Sequence, residues 1–411
     1  MAEPMTVAET IGAAEFAERQ RRATEAAAER GFDALVVWSR GGTSVDFYGD
    51  GFYLANHHSP FPPNQDTPAW SARSYSGLLL PVEGDPVLVL DLPEFDPDVI
   101  HVGDIRSTLH VPQTFARVLA ERGLDNSNLA LAGRDTMLLA HVRHMAAELG
   151  HEVSFEPADD IVDGLRMIKS EAELKLIRAA AEVGIGWQNT MMAAVEPGRT
   201  EGEVVGAGLD YLSANGGFAY DAAIASGSRS QYFFSRMNMP TWDAKRVINE
   251  GDLVHVDAWG PIDGYYTDLV RTSVAGRNPS AEQRELLDGS VAIIRHICDQ
   301  VKPGMAIGEV YSLGADWMVD NGFGEHRAEL EDSGTDFGNL FPAFGHGFGV
   351  GLENPWIIDG EQTVVEENMC LAIEALLGRP GVGGAGFEED IIVTADGCEV
   401  ITADCKSNWW D

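Results

Sequence analysis

The chain has 411 residues, 45% of them hydrophobic and 23% charged, enough apolar material for a sizeable core shared between two domains. Its 65 Asp and Glu against 28 Lys and Arg leave a formal net charge of -37, a surface that repels nucleic-acid phosphate and anionic lipid, so neither is expected as a partner. No apolar run reaches the ~18 residues of a membrane-spanning helix, and residues 1–30 lack the basic-then-apolar order of a signal peptide. The hydrophobic content is ordinary and no long single-charge block occurs, so the acidity reads as a solvated surface or as a field that gathers cations, not as disorder. The four cysteines, Cys298, Cys370, Cys398 and Cys405, form no C-x-x-C pair, which predicts reduced thiols and a cytoplasmic protein.

Residues 13–30 carry a helix pattern ending at Gly31, and "DALVVWS" follows as a buried strand. "YSGLLLPVEGDPVLVLDL" predicts a hairpin around the turn "EGDP". Between these lies the loop "HHSPFPPNQDTPAW", with four prolines. "QTFARVLAERGL" and "HVRHMAAELG" read as helices, "NLALAG" and "HEVSFEP" as strands. The alternation predicts an α/β domain over residues 1–162. A second domain, residues 163–411, opens with a helix that Ser170 and Glu173 start as a capping box. Helices are predicted at "EGEVVGAGLDYLSANG", "RELLDGSVAIIRHICDQV" and "AIGEVYSLGADWMVDNG". Strands are predicted at "DLVHVDAWG", "YYTDLVRTSV", "NMCLAIEALL" and "FEEDIIVT", giving an α+β layout.

Several strands of this second domain carry charge where an apolar residue is expected. "DLVHVDAWGPIDGYYTDLVRT" folds back on itself at a Pro/Asp/Gly turn. If the four residues 261–264 form that turn, Asp257 stands directly across from Asp268, Cβ atoms about 4.5–5.5 Å apart. Two carboxylates that close need a proton or a cation between them. His346 sits among the glycines of "FGHGFGVGLENP", where backbone can approach a ligand closely. "CLAIEALL" and "FEEDIIVT" set Glu374, and Glu388 or Glu389, inside apolar strands, where a lone charge costs several kcal/mol unless paired or metal-bound. Four carboxylates and an imidazole suit two divalent ions of the Mn, Fe, Co or Zn kind. Ions held ~3.5–4 Å apart acidify a water between them. The Gly-rich "GVGGAG" leads into a strand rather than a helix, so it is not a phosphate cradle.

From about Lys169 to Thr394 the ordered set "KSEAELKLIRAA", "EPGRTEGEV", "EGDLVHVDAWGPIDGYYTDLVRT", "VKPGMAIGEV", "GHGFG", "NMCLAIEA" and "FEEDIIVTADG" resembles the pita-bread metallohydrolases: methionine aminopeptidase, aminopeptidase P, prolidase and creatinase. The α/β N-terminal half resembles the extra domain of the creatinase and prolidase branch. The resemblance implies a pita-bread fold for the second domain, a homodimer, and two metal ions. In it Asp257 binds one ion, Asp268 bridges, and His346 and Glu374 bind the second. A bridging glutamate stands six positions before the Thr that ends its strand, so Thr394 selects Glu388 and turns Glu389 to the other face. The implied activity is hydrolysis of a C–N bond in a dipeptide, an N-terminal Xaa-Pro bond or a peptide-like small molecule.

The chain departs from the peptidase pattern at two histidines. The upstream stretch "ASGSRSQYFFSRMNMPTW" has none, and Leu352 stands where a second imidazole follows the "GHG" element, with Glu353 kept beside it. Glu353 is therefore the candidate proton shuttle beside His346. Tyr232, Phe233 and Trp259, with Phe234 and Trp242, are candidates for an aromatic wall facing a cationic substrate, and Leu352 for the pocket lining. Rival readings are a lyase acting on dimethylsulfoniopropionate, a creatinase-like amidinohydrolase, or a non-catalytic binding protein on the same fold. The lyase branch has an aspartate in the second histidine's place and "D-x-D" where this chain has "HVD", which ranks it below hydrolysis.

Overall fold

A computed structural model describes residues 6–41, 49–91, 95–232, 235, 240–323 and 343–411. The chain divides into two compact units, Thr6–Arg166 and Met167–Asp411.

In the first unit, β1 (Ala34–Arg40), β2 (Tyr75–Pro81), β3 (Val87–Leu90), β4 (Asp104–Ser107), β5 (Leu129–Ala132) and β6 (Phe155–Pro157) form one mixed sheet in the order β4-β3-β2-β1-β5-β6. The helices are α1 (Val7–Thr10), α2 (Ala13–Glu29), α3 (Gly49–Ala55), α4 (Val111–Glu121), α5 (Leu139–Leu149) and α6 (Asp159–Met167). The expected hairpin is present, with β2 and β3 antiparallel and Leu79 paired to Val87. Trp38, Leu79, Val89, Phe115, Leu119 and Leu131 fill the core beneath α4, where the Trp38 and Phe115 rings meet edge-on at 5.6 Å. Such burial contributes about 1.5–3 kcal/mol for each large side chain.

The second unit opens with α7 (Glu171–Ala193) and α8 (Glu201–Ala214). The Ser170/Glu173 capping box is formed, the Ser170 hydroxyl accepting from the Glu173 amide. A three-stranded sheet follows from β7 (Asp221–Ser226), β8 (Leu253–Ile262) and β9 (Tyr265–Val274), then α9 (Ala281–Cys298) and α10 (Ile307–Asp320). A second sheet has the order β11-β10-β12-β13-β14, from β10 (Gly345–Phe348), β11 (Leu352–Trp356), β12 (Cys370–Arg379), β13 (Gly383–Val393) and β14 (Cys398–Val400). Helix α9 buries Ile293, Ile294 and Ile297 against Leu371, Ile373 and Ile391 of this sheet. The two sheets are cross-linked where the Thr272 hydroxyl donates to the Gly386 carbonyl at 2.9 Å and accepts from the Gly386 amide at 2.8 Å. That approach explains Gly386 inside β13. A Cβ on Gly386 would lie 2.5 Å from a Val270 methyl.

One expectation is corrected. The β8–β9 hairpin turns on two residues, not four: Ile262 pairs with Tyr265. Asp263 (φ 49°) and Gly264 (φ 87°) both adopt the left-handed conformation of the two-residue turn whose twist matches antiparallel strands. Asp257 therefore pairs with Val270, and Asp268 with Trp259. The two aspartates remain on one face, as diagonal rather than direct neighbours. None of the described helices is long and apolar enough to cross a membrane, and all four cysteines are free. Cys370 belongs to the core, its thiol pushed up to about 12 by burial.

Candidate metal centre

Five strands from the two sheets bring Asp257, Asp268, His346, Glu374 and Glu388 together. Glu374 on β12 pairs directly with Glu388 on β13, which puts both side chains on one face. His346 on β10 pairs with Ala372, two residues before Glu374, and so shares that face. Its Nε2 lies 3.6 Å from Asp268 Oδ2 and 3.9 Å from Glu374 Oε1. Asp268, His346 and Glu388 each offer a ligand atom within 4.8 Å of one another. Among the described residues this is the only such group.

All five side chains are buried. Burial is the main cause raising the carboxyl groups of Asp257, Asp268 and Glu388 well above the usual range, with their like-charged neighbours adding to it. Burial alone pushes Glu374 up to about 7. These groups cannot all ionise so close together unless positive charge joins them. Burial likewise holds the His346 imidazole down at about 4, against the opposing pull of the Gly347 carbonyl and the Glu353 charge. Its Nδ1–H donates to the Gly347 carbonyl at 3.0 Å, which leaves the Nε2 lone pair facing the carboxylates.

Both oxygens of Glu388 and Oδ1 of Asp257 are buried without a hydrogen-bond partner. A buried carboxylate with no donor on either oxygen costs far more than one apolar side chain contributes, and a cation removes that cost. Carboxylate oxygens and one imidazole nitrogen are the donors that hard-to-borderline divalent ions take, so the residues fit such a group.

Glu389 faces away. It pairs with the buried Arg271 guanidinium at 3.1 Å and accepts from the Thr402 hydroxyl. Glu353 is buried on β11. Its Oε2 lies 3.0 Å from Lys169 Nζ, and its Oε1 accepts from the Val350 amide at 3.1 Å. Leu352 is half-buried and pairs with Phe348. Trp259 is half-buried opposite Asp268 and stacks on Tyr220 with ring centroids 5.7 Å apart. Tyr232 is 44% exposed. Trp242 packs against the core under β8, as an ordinary core aromatic would. Phe233 and Phe234 lie outside the described residues.

Three polar groups near the cluster escape a motif-based reading. Asp221 pairs with Trp259, is buried, and acts electrostatically on Asp257. Asp390, fully buried, lies two residues beyond Glu388 on the same face. Lys169 is the buried cation beside Glu353. Strand alternation alone could have marked Asp390. Nothing local marks Lys169, whose partner is 184 residues away.

Residues 175–395 match the model of metallopeptidase family M24. The chain is 30% identical over 256 residues to an Xaa-Pro dipeptidase of Pyrococcus furiosus and 31% identical over 256 residues to that of Pyrococcus horikoshii, covering 60% of this chain in each case. Each match spans 66% of the relative's own length. The structure of the prolidase from Pyrococcus horikoshii OT3 superposes with a TM-score of 0.76 at 21% identity, covering 94% of this chain and 98% of that one. An Xaa-Pro dipeptidase from Bacillus anthracis gives 0.76 at 24% identity, over 96% of this chain and 99% of that one. These structures share the two-domain pita-bread fold expected from the sequence. By the match over residues 175–395, the chain belongs to metallopeptidase family M24.

Proposed function

We propose that this chain is a metal-dependent hydrolase that cleaves the C–N bond of Xaa-Pro dipeptides. Asp257, Asp268, His346, Glu374 and Glu388 would hold two divalent ions of the Mn, Fe, Co or Zn kind. The observation that carries this reading is Glu388, buried beside Asp268 and His346 with no protein donor for either oxygen. Bound there, the ions would polarise a substrate carbonyl and acidify a water. The protein supplies the rest. Glu353, fixed by Lys169 and Val350 and felt electrostatically by His346, carries the proton toward the leaving nitrogen. Trp259, Tyr232 and Leu352 line the substrate side. The protein works in the cytoplasm as a homodimer, a reading supported by its free cysteines and by the family resemblance.

A second reading has one specific feature in its favour. The half-buried Trp259 lies between Asp221 and Asp268 across the sheet, and Leu352 replaces an imidazole. An indole flanked by acids suits a small cationic substrate such as creatine or a sulfonium zwitterion. A panel of Xaa-Pro dipeptides, creatine and dimethylsulfoniopropionate, assayed with Mn-loaded and chelator-treated protein, separates the two. Metal-dependent release of proline, lost in Asp268→Asn, is expected. Turnover of only the cationic compounds would overturn the peptidase reading.

A further inference from the structure

The five proposed ligands come from two separate sheets. Asp257 and Asp268 stand on β8 and β9 of one, and His346, Glu374 and Glu388 on β10, β12 and β13 of the other. The distance between Asp268 and Glu388 thus depends on how β9 docks on β13. Asp390 bridges that joint. Its Oδ2 accepts from the backbone N–H of Asp268 at 3.2 Å and lies 3.4 Å from the hydroxyl of Thr267, so it grips the segment of β9 that carries Asp268.

The grip is itself anchored. The Asp390 amide donates to Thr402 Oγ1 at 3.0 Å, and its carbonyl accepts from the Ile401 amide at 3.0 Å. Thr267 is held from the other side by α7, where Gly184 has no Cβ. A Cβ there would lie 2.2 Å from Thr267 Oγ1. Asp390 also shares the face of the cluster. It pairs with Ala372, which in turn pairs with His346. It is fully buried, and its Oδ1 has no hydrogen-bond partner. A buried carboxylate with one oxygen spent on the backbone of a ligand residue and the other without a hydrogen-bond partner is costly as mere core packing.

We propose that Asp390 is a positioning residue of the metal centre: it sets the separation of Asp268 from Glu388 by tying β9 to β13. The proposal rests on the reading of this cluster as a metal centre. Groups that orient metal ligands in this way typically account for ~10–100-fold in metal affinity.

The test is Mn2+ titration of the full chain after dialysis against chelator, by calorimetry and by electron paramagnetic resonance, on wild type, Asp390→Ala, Asp390→Ser and Asp390→Asn. The Asn amide oxygen still reaches the Asp268 N–H, whereas Ser is a carbon too short and Ala has no acceptor. The expected result is ~10–100-fold weaker binding of at least one ion in the Ala and Ser variants. An altered spin-coupled Mn signal in those two and recovery of most of the affinity in Asn are also expected. Ser keeps the measurement open should Ala not fold. Wild-type affinity in a folded Ser or Ala variant would overturn the proposal, as would an Asn variant as weak as Ser. Wild-type protein that binds no Mn2+ at all would instead remove the metal centre, and this inference with it.

Discussion

Glu388 and Glu389 are adjacent in sequence and face opposite ways. Glu388 lies against Asp268 and Glu374, and Glu389 pairs with Arg271, whose guanidinium also donates to the Glu388 carbonyl. Glu388→Gln should lose metal and activity together. Glu389→Gln should keep its metal and lose stability, because Arg271 is left buried without its countercharge, a loss on the order of 3–5 kcal/mol. Metal analysis and a thermal melt of each variant check this, and metal loss in Glu389→Gln alone would reverse the assignment. A pH dependence follows from the same carboxyls. In metal-free protein their folded values lie above their unfolded ones of about 4. Their contribution to stability is therefore fully present below about pH 4 and lost as pH rises through the folded values, about 7 for Glu374. His346, held down at about 4, works in the opposite direction, but as one group against four. Adding Mn2+ should thus raise the melting temperature little at pH 5 and much more at pH 8, and an equal rise at both would contradict the shifts. The face of Glu388 is legible from its spacing to Thr394. Asp390 follows from the same alternation, yet in a chain with net charge -37 it reads as one more acid. The Lys169–Glu353 contact is made only by the tertiary fold.

At the level of elements, the long helices and the hydrophobic strands are legible because their periodicity is strong, and α7, α8 and α9 also start at capping boxes. The failures have local causes. Strand β7 is written "DAAIAS", with one β-branched residue, and β10 is written "GHGF". Neither has strand propensity of its own, and both are strands because neighbours supply the ladder. The β8–β9 register is misread by the choice of turn. Four residues and two residues both close "PIDG", and only the positive φ values at Asp263 and Gly264 decide. Gly264→Ala should then cost about 1–2 kcal/mol, the penalty of a Cβ in the left-handed region, while leaving metal stoichiometry unchanged. Denaturant unfolding with a parallel metal assay measures both. A neutral substitution would mean that the turn does not depend on this conformation.

For the whole molecule, composition points to two domains and a large core, and the structure divides into two compact units. It does not reveal that a few of the many acids are buried together at the meeting of two sheets while the rest are solvated. Net charge is a sum and carries no position, so only the ordered motifs could point to the cluster. The claim at the centre of this account is that these buried carboxylates and His346 exist to hold divalent metal. Calorimetric titration of chelator-treated wild type with Mn2+, beside Asp268→Asn, addresses it most directly. The account predicts two ions bound per chain by wild type, accompanied by proton release, and loss of at least one in the variant. Wild-type protein that stays folded and binds none, or a variant that binds as wild type does, would contradict it.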